Sequence, residues 1–263
     1  MEKLKMSKGS IQSVARALSI LNLLIERNDI GITELALELG VPKGTVHGLV
    51  KTLEEFGYLE QNIDNKKYRY GSELLKIGFT SIRRIELRKI AMERAQKLCN
   101  ELSETVHVGL LLGGMVVIIA RCTPSHPSFM LMPEVGLSIP PHCTAMGKVL
   151  LSEMPEDKLS EILNKNALEK YTPHTVVELN KIRENLKKIK DNGFCVSHQE
   201  ALIGLSCTAA PIRDHSGKIA ASISISTSTE QLLCQEGKLE KFVEKIINSA
   251  AYISQQMGYQ AKN

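Results

Sequence analysis

The spacing of apolar residues changes character along this chain. Up to Glu104 they recur every three or four positions, as amphipathic helices require; from Val106 onward they gather in short runs broken by glycines and turn residues, as strands do. With 263 residues, 43% of them hydrophobic, the chain is long enough for one large or two ordinary domains with a real core. The change of period favours two unlike parts, and an α+β class for the second.

In the first part the spacing predicts three helices. Gln12 to Arg27 places Val14, Ala17, Leu18, Leu21, Leu24 and Ile25 on one expected buried stripe. Thr33 is expected to cap a short helix from Glu34 to Leu39, with Leu35, Ala36 and Leu39 inward and Gly40 ending it in the left-handed region. Pro42 starts a third helix whose inner face holds Val46, Leu49, Val50, Leu53 and Phe56. Gly44, His47, Gly48, Lys51 and Glu55 must then face outward. Two helices joined across "GVP" form a helix-turn-helix.

A hairpin follows at once. Tyr58 to Gln61 and Lys67 to Tyr70 read as strands about the turn "IDNK", with Tyr68 and Tyr70 on one side and Lys67 and Arg69 on the other. This is the pattern of a wing. A helix that exposes small residues, a histidine and a lysine can enter a major groove while a basic strand reaches neighbouring phosphates. The same residues would also suit a small helical domain with a solvated charged hairpin. Charge favours the first reading: Lys and Arg outnumber Asp and Glu by 15 to 11 in residues 1–90, and the two balance beyond.

From Ser72 to Glu104 one or two amphipathic helices are expected, either linking and dimerising or packed in an ordinary core. Beyond them "VHVGLLLGGMVVIIAR" reads as two strands about Gly113 and Gly114, and "GFCVSH", "LSCTAAPI" and "KIAASISIST" as further strands. Helices are expected at Thr144 to Leu151, Glu156 to Asn164, Glu178 to Asn192 and Gln231 to Met257. No apolar run is long enough to span a bilayer and the start lacks the apolar core of a secretion signal, so a cytoplasmic protein is expected. The six cysteines stand far apart without a CxxC pair and are expected to be mostly reduced.

These segments together resemble a known family. "SVARALSILNLL", "ITELALELGVPKGTVHGLVKTLEEFGYLE", "VGLSIPPHCTAMGKVLL" and "HQEALIGLSCTAAPIRDHSGKIAASISIS" occur in the order seen in isocitrate-lyase-regulator (IclR) type transcription factors. The resemblance implies a winged helix-turn-helix at 10–71, a linker helix at 72–86 and a GAF-like effector-binding domain at 87–260. It also implies a dimer or dimer of dimers that grips double-stranded operator DNA, as a repressor, under control of a small organic or sugar acid. Neither a catalytic residue nor a cofactor is expected, and no membrane partner.

On this resemblance Arg16, Thr33, Lys43, Thr45, His47, Lys51, Lys67 and Arg69 are the expected DNA contacts. The arginine that the family often presents from the third helix is replaced by Gly48, which shifts base readout to Thr45, His47 and Lys51 or to DNA shape. The effector pocket is expected between Ala145 and Met146 at a helix start, Ser197 and Cys207, and Ser224 and Ser226 on one strand, with Leu131, Ile139 and Leu205 as its apolar wall. Amides at a helix start suit a carboxylate, and hydroxyls at alternate strand positions point to one side. Alternation alone would also produce the two serines. Similar proteins have an acidic residue where this chain has Ser197 or His198, while their glutamate is kept as Glu200, so the ligand is expected to be more anionic than usual, with His198 adding to that preference as pH falls.

Enzymatic motifs fail on inspection. "MGKV" lacks the earlier glycine and the Ser or Thr of a phosphate loop, and "GLSCT" ends on Thr208 where a nucleophile elbow needs glycine. A metal- or thiol-responsive regulator is the alternative, since Cys122 with His126, His142 with Cys143, Cys195 with His198, and Cys207 supply soft ligands, though at no known metal spacing. A GAF-like interaction module with a degenerate DNA-binding end also fits Gly48.

Overall fold

The computed structural model describes residues 10–25, 27–83, 86–130, 133–165 and 168–260. The chain divides between Arg84 and Ile85 into two compact units. In the first, helices α1 (Gln12–Leu23), α2 (Ile32–Leu39) and α3 (Lys43–Glu55) precede a hairpin of β1 (Leu59–Gln61) and β2 (Tyr68–Tyr70), and α4 (Ser72–Arg83) follows. Ile20, Leu24, Leu35, Val46, Val50, Leu59 and Tyr68 form its core.

Several details depart from the sequence pattern. α1 stops at Leu23, not Arg27, because the amides of Leu24 and Ile25 turn back to the carbonyls of Leu21 and Asn22 at 3.2 and 3.1 Å. Its buried line runs through Ile20 and Leu24, one helical turn apart, which leaves Val14 and Leu18 54% and 55% exposed and Ile25 outside the core. Thr33 does not cap α2. The cap is Gly31, whose N–H donates to the Glu34 carboxylate at 2.7 Å, and Thr33 lies exposed in the first turn. Gly40 ends α2 at φ 63°, as expected. Phe56 sits past the end of α3 and is exposed.

The wing is tied in from both sides. Ile30 exchanges two backbone hydrogen bonds of 2.9 Å with Tyr68, which adds a one-residue third strand that no periodicity could announce. Tyr70 donates its hydroxyl to the Leu21 carbonyl at 2.8 Å and so holds the hairpin to the end of α1.

The second unit runs α5 (Glu86–Leu102), β3 (Thr105–Leu112), β4 (Met115–Cys122), β5 (Ser138–Ile139), α6 (Ala145–Leu151), α7 (Glu156–Lys165) and α8 (Leu179–Asn192). β6 (Cys195–His198), β7 (Leu205–Arg213), β8 (Ile219–Ser228), α9 (Thr229–Cys234) and α10 (Lys238–Gln256) complete it. The strands form one antiparallel sheet in the order β5-β4-β3-β8-β7-β6. The long final helix expected from Gln231 is broken in two, with Gly237 at φ 75° between the halves.

Both faces of the sheet are covered. Val106, Val108, Ile212, Ile223 and Ile225 pack against Ala91, Ala95 and Leu98 of α5 and Phe242, Ile246 and Ile253 of α10. On the opposite face Val116, Ile118 and Ala209 meet α6, behind which lie Ile182, Leu186 and Ile189 of α8. All seven residues of α6 are buried, so this short helix has no outward side.

Close approach fixes α6 in place. A Cβ on Gly147 would collide with the Pro141 backbone, whereas one on Gly78 in α4 meets nothing within 4 Å. Gly147→Ala is therefore expected to destabilise the protein by about 1–3 kcal/mol. Gly78→Ala should be neutral or stabilising by up to about 1 kcal/mol from helix propensity. Thermal denaturation of the two variants beside the wild type checks both signs.

Candidate functional site

Two surfaces collect the chemically capable residues, one in each unit. On α3 the inner positions Val46 and Val50 anchor the helix, and Lys43, Gly44, Thr45, His47, Gly48 and Lys51 are all exposed. Among the described residues the side chains of Lys43, Thr45, His47 and Lys51 have no ion pair or hydrogen bond within the chain. A Cβ added at Gly44 or Gly48 would stand in open space. The face is flat and offers two free cations.

The wing cations behave differently. Lys67 lies 3.3 Å from Glu34 and 3.5 Å from Asp29, and Arg69 lies 2.6 Å from Glu60 on the paired strand. The Gly31 amide and Lys67 hold the Glu34 carboxyl below its usual range, and Glu34 in turn raises the Lys67 ammonium. These pairs sit in solvent, which screens them, so they are weak and exchangeable. They place the expected wing contacts inside an ion-pair network of the unit itself. Arg16 is half-buried on α1, and Thr33 is exposed on α2.

The second surface is a cavity of about 230 Å³ between the sheet and the start of α6. Strand register builds its floor. Ser197, Cys207, Ser226 and Thr105 stand in one row across β6, β7, β8 and β3, and Ala209, Ser224 and His107 in the next. Residues two apart on a strand share a face, so Ser224 and Ser226, Cys207 and Ala209, and Thr105 and His107 all look toward α6.

Of the expected pocket residues, Ala145, Met146, Ser197, Cys207, Ser224 and Ser226 line this cavity together. Ile139 and Leu205 line it as well. Leu131 lies outside the described residues. His198 points to the other side of its strand, exposed, with Nδ1 3.0 Å from the Ser206 hydroxyl. The expectation that His198 tunes the pocket is therefore corrected by strand alternation: Ser197 faces in, so His198 cannot.

Lys148, Tyr171 and His107 also shape the cavity and were not among the expected residues. Lys148 of α6 forms a buried ion pair with Glu200, whose Oε1 also accepts the Ser197 hydroxyl at 3.1 Å. The retained glutamate thus stands in the cavity wall as the resemblance implied, and a lysine balances it. A lysine in a helix with no outward side needs a buried partner, which no local sequence signal announces. Tyr171 closes one edge, and just beyond it the hydroxyls of Thr172 and Thr175 donate to the carbonyls of Gln199 and Glu200 at 2.7 and 2.6 Å, which sets the loop that carries the acid. His107 is buried, and burial, with Arg121 adding to it, pushes its imidazole down to about 4. It is neutral at pH 7.

The soft-ligand alternative finds little geometry. Cys122 lies in the core on the α5 side of the sheet, with Met92, so it cannot join Cys143 and Cys207 on the α6 side. Among the described residues no three His, Cys, Asp or Glu side chains converge as metal ligands would. Burial raises the thiols of Cys143 and Cys195 to about 12 and that of Cys207 to about 11, which leaves almost no thiolate for redox chemistry.

Comparison with known proteins gives one consistent result. Residues 13–62 match the IclR helix-turn-helix domain and residues 79–255 match the bacterial transcriptional regulator IclR C-terminal domain. The HTH-type transcriptional regulator XynR of Escherichia coli is 31% identical over 95% of this chain and 99% of its own length. The transcriptional repressor IclR of the same organism is 27% identical over 94% of this chain and 90% of its own. An IclR homologue of Microbacterium hydrocarbonoxydans, solved in complex with 4-hydroxybenzoate, shares the fold with a TM-score of 0.80 at 21% identity, covering 93% of this chain and 98% of that one.

The neutral state of His107 has a measurable consequence. Its folded pKa of about 4 lies below the ordinary value of 6.5, so between these the unfolded chain binds the extra proton and stability falls as pH falls. The contribution is fully present above pH 6.5 and is lost progressively down to about 4, at up to about 1.4 kcal/mol per pH unit. Denaturation across that range is expected to show a slope in the wild type that His107→Asn lacks.

Proposed function

This chain belongs to the IclR family of bacterial transcriptional regulators, and we propose that it is an operator-binding repressor whose grip on DNA is set by a small carboxylate held in the cavity of the second unit. Its relatives are regulators and not enzymes. The DNA-binding domain is assigned to 10–71, the linker helix to 72–86 and the effector domain to 87–260.

For DNA the supporting observation is the outward face of α3. Lys43 and Lys51 have spent no charge within the chain, and Gly44 and Gly48 allow the helix backbone to lie close to base edges. Thr45 and His47 are the side chains left to read bases. Lys67 and Arg69 already have carboxylate partners, so they contribute to phosphate binding only by exchanging them. The exposed apolar residues Leu75 and Ile77 on α4 suit a dimer or a dimer of dimers on an imperfect palindrome.

For the effector the supporting observation is the cavity itself, apolar-walled and floored by Ser197, Cys207, Ser224, Ser226 and His107 from neighbouring strands. Thr144 caps the Gly147 amide of α6 with its hydroxyl oxygen, and Ala145 and Met146 before it line the cavity, where their amides would suit a carboxylate. That a relative of the same fold was solved with 4-hydroxybenzoate, itself a carboxylate, points the same way.

Lys51→Ala is expected to weaken operator and random DNA alike and to make the salt dependence shallower by about one unit. His47→Ala should instead narrow the gap between operator and random DNA. Fluorescence anisotropy with both duplexes over a salt series reads the two effects, and unchanged binding in both variants would overturn the assignment of α3. Separately, a carboxylate at 100 times its dissociation constant should stabilise the protein by about 2.7 kcal/mol and release operator. A thermal screen of small acids, followed by operator release, checks this.

A further inference from the structure

We propose that Asp29, Glu34 and Glu60 are specificity-determining residues that act against non-operator DNA: they hold the charges of Lys67 and Arg69, so that the wing attracts no duplex that α3 has not already seated. The inference rests on the reading of the first unit as an operator-binding domain and adds what keeps that domain off other DNA.

The acids are fixed, and the cations are the movable partners. The Gly31 amide donates to Oε2 of Glu34 at 2.7 Å, which leaves Oε1 for the Lys67 ammonium at 3.3 Å. Asp29 accepts the Asn65 side-chain amide through Oδ2 at 2.7 Å and stands 3.5 Å from the same ammonium through Oδ1. The Asn65 side-chain oxygen in turn accepts the Lys67 backbone amide at 2.9 Å. One ammonium thus faces two carboxylates that are held from elsewhere in the unit. Glu60 is the cross-strand neighbour of Arg69, and its Oε1 accepts from Nε at 2.6 Å. The terminal guanidinium nitrogens of Arg69 have no partner among the described residues, so Arg69 can still meet a phosphate brought to it although Glu60 balances its charge. By contrast Lys43 and Lys51 on α3, and Lys66 at the turn of the wing, carry no ion pair among the described residues.

Distance and charge separate the two kinds of duplex. Random DNA is held through its phosphates, each contact adding about 0.9 to the salt slope by releasing counterions. A cation balanced by a fixed carboxylate releases none, and Asp29, in excess beside the Lys67–Glu34 pair, is repelled by phosphate. On an operator, base contacts from α3 fix the distance of the hairpin to the backbone. A solvated pair, worth roughly fivefold or less in an equilibrium, then exchanges its carboxylate for phosphate. The acids therefore lower affinity for random DNA more than for operator.

The test is fluorescence anisotropy of the full-length protein over a salt series with two duplexes, one of random sequence and one selected from a random pool by the wild type. Glu60→Gln and Glu34→Gln are each expected to tighten the random duplex roughly threefold or more at low salt and to steepen its slope by about one, with little change on the selected duplex. Glutamine keeps a side-chain oxygen for the Gly31 amide, so the cap of α2 survives. Arg69→Ala should hardly alter the random-duplex slope, unlike Lys51→Ala, and Glu60→Gln added to Arg69→Ala should change little further. The random duplex alone decides the matter if no sequence is selected. An unchanged random-duplex slope in both glutamine variants, a gain from Glu60→Gln that persists undiminished without Arg69, or an equal gain on both duplexes would overturn the inference while leaving the operator-binding domain in place. A wild type that binds neither duplex at low salt would overturn that reading as well.

Discussion

Strand register in a sheet buried on both faces is the constraint on which the second unit depends. Alternate residues of β3, β7 and β8 go to opposite sides, so Ile223 and Ile225 enter the core under α5 and α10 while Ser222, Ser224 and Ser226 look the other way. A slip by one residue would bury serine hydroxyls among those apolar helices, at about 1–3 kcal/mol for each one left unsatisfied, and aim isoleucines into the cavity. Core and cavity floor are thus two readings of one pairing scheme. The bulge between Val108 and Gly109 lets β4 keep Val116 and Ile118 on the cavity side and still bury Ala120 and Cys122 opposite. Pro211 is tolerated in β7 because β6 pairs only as far as Ala209, which leaves Pro211 with one neighbouring strand.

Charge is used in two unlike ways. In the first unit Lys67 and Arg69 meet their carboxylates in solvent, where pairing is weak and exchangeable, so the wing is steered without being locked. In the second, Lys148 and Glu200 meet out of water, where loss of either partner strands a charge and costs on the order of 3–5 kcal/mol. That pair joins α6 to the loop after β6, and Thr172 and Thr175 fasten the same loop from a third segment. The cavity wall therefore consists of pieces distant in sequence that hold one another by polar contacts, which is the kind of construction a ligand can tighten.

Much of this was legible in the residues. The helix-turn-helix and the hairpin carried a readable period, the long strands showed as apolar runs between turn residues, and Gly40, Gly113 and Gly114 marked turns that exist. The family resemblance led to Ser224, Ser226 and Cys207, which share the cavity with Ala145 and Met146. What stayed hidden lacks a local pattern. One residue, Ile30, makes a strand; β5 is two residues long; Gly237 breaks a helix that periodicity runs through. His107 reads as one polar residue in an apolar strand, and Lys148 as an ordinary surface lysine, until tertiary packing removes the surface. The exposure of Val14 and Leu18 was misread because a short helix with many apolar residues does not say which arc faces inward.

The two glycines on the outer face of α3 bear on how such a protein can diverge. Gly44 and Gly48 take ordinary helical conformations, would touch nothing through a Cβ, and stand on the outward face of α3 that we propose for DNA. Almost any residue could be introduced there by a single codon change without disturbing Val46, Val50 or the hairpin behind them. Descendants of this chain can therefore explore new target sequences before any compensating change elsewhere, while the inherited scaffold stays as it is.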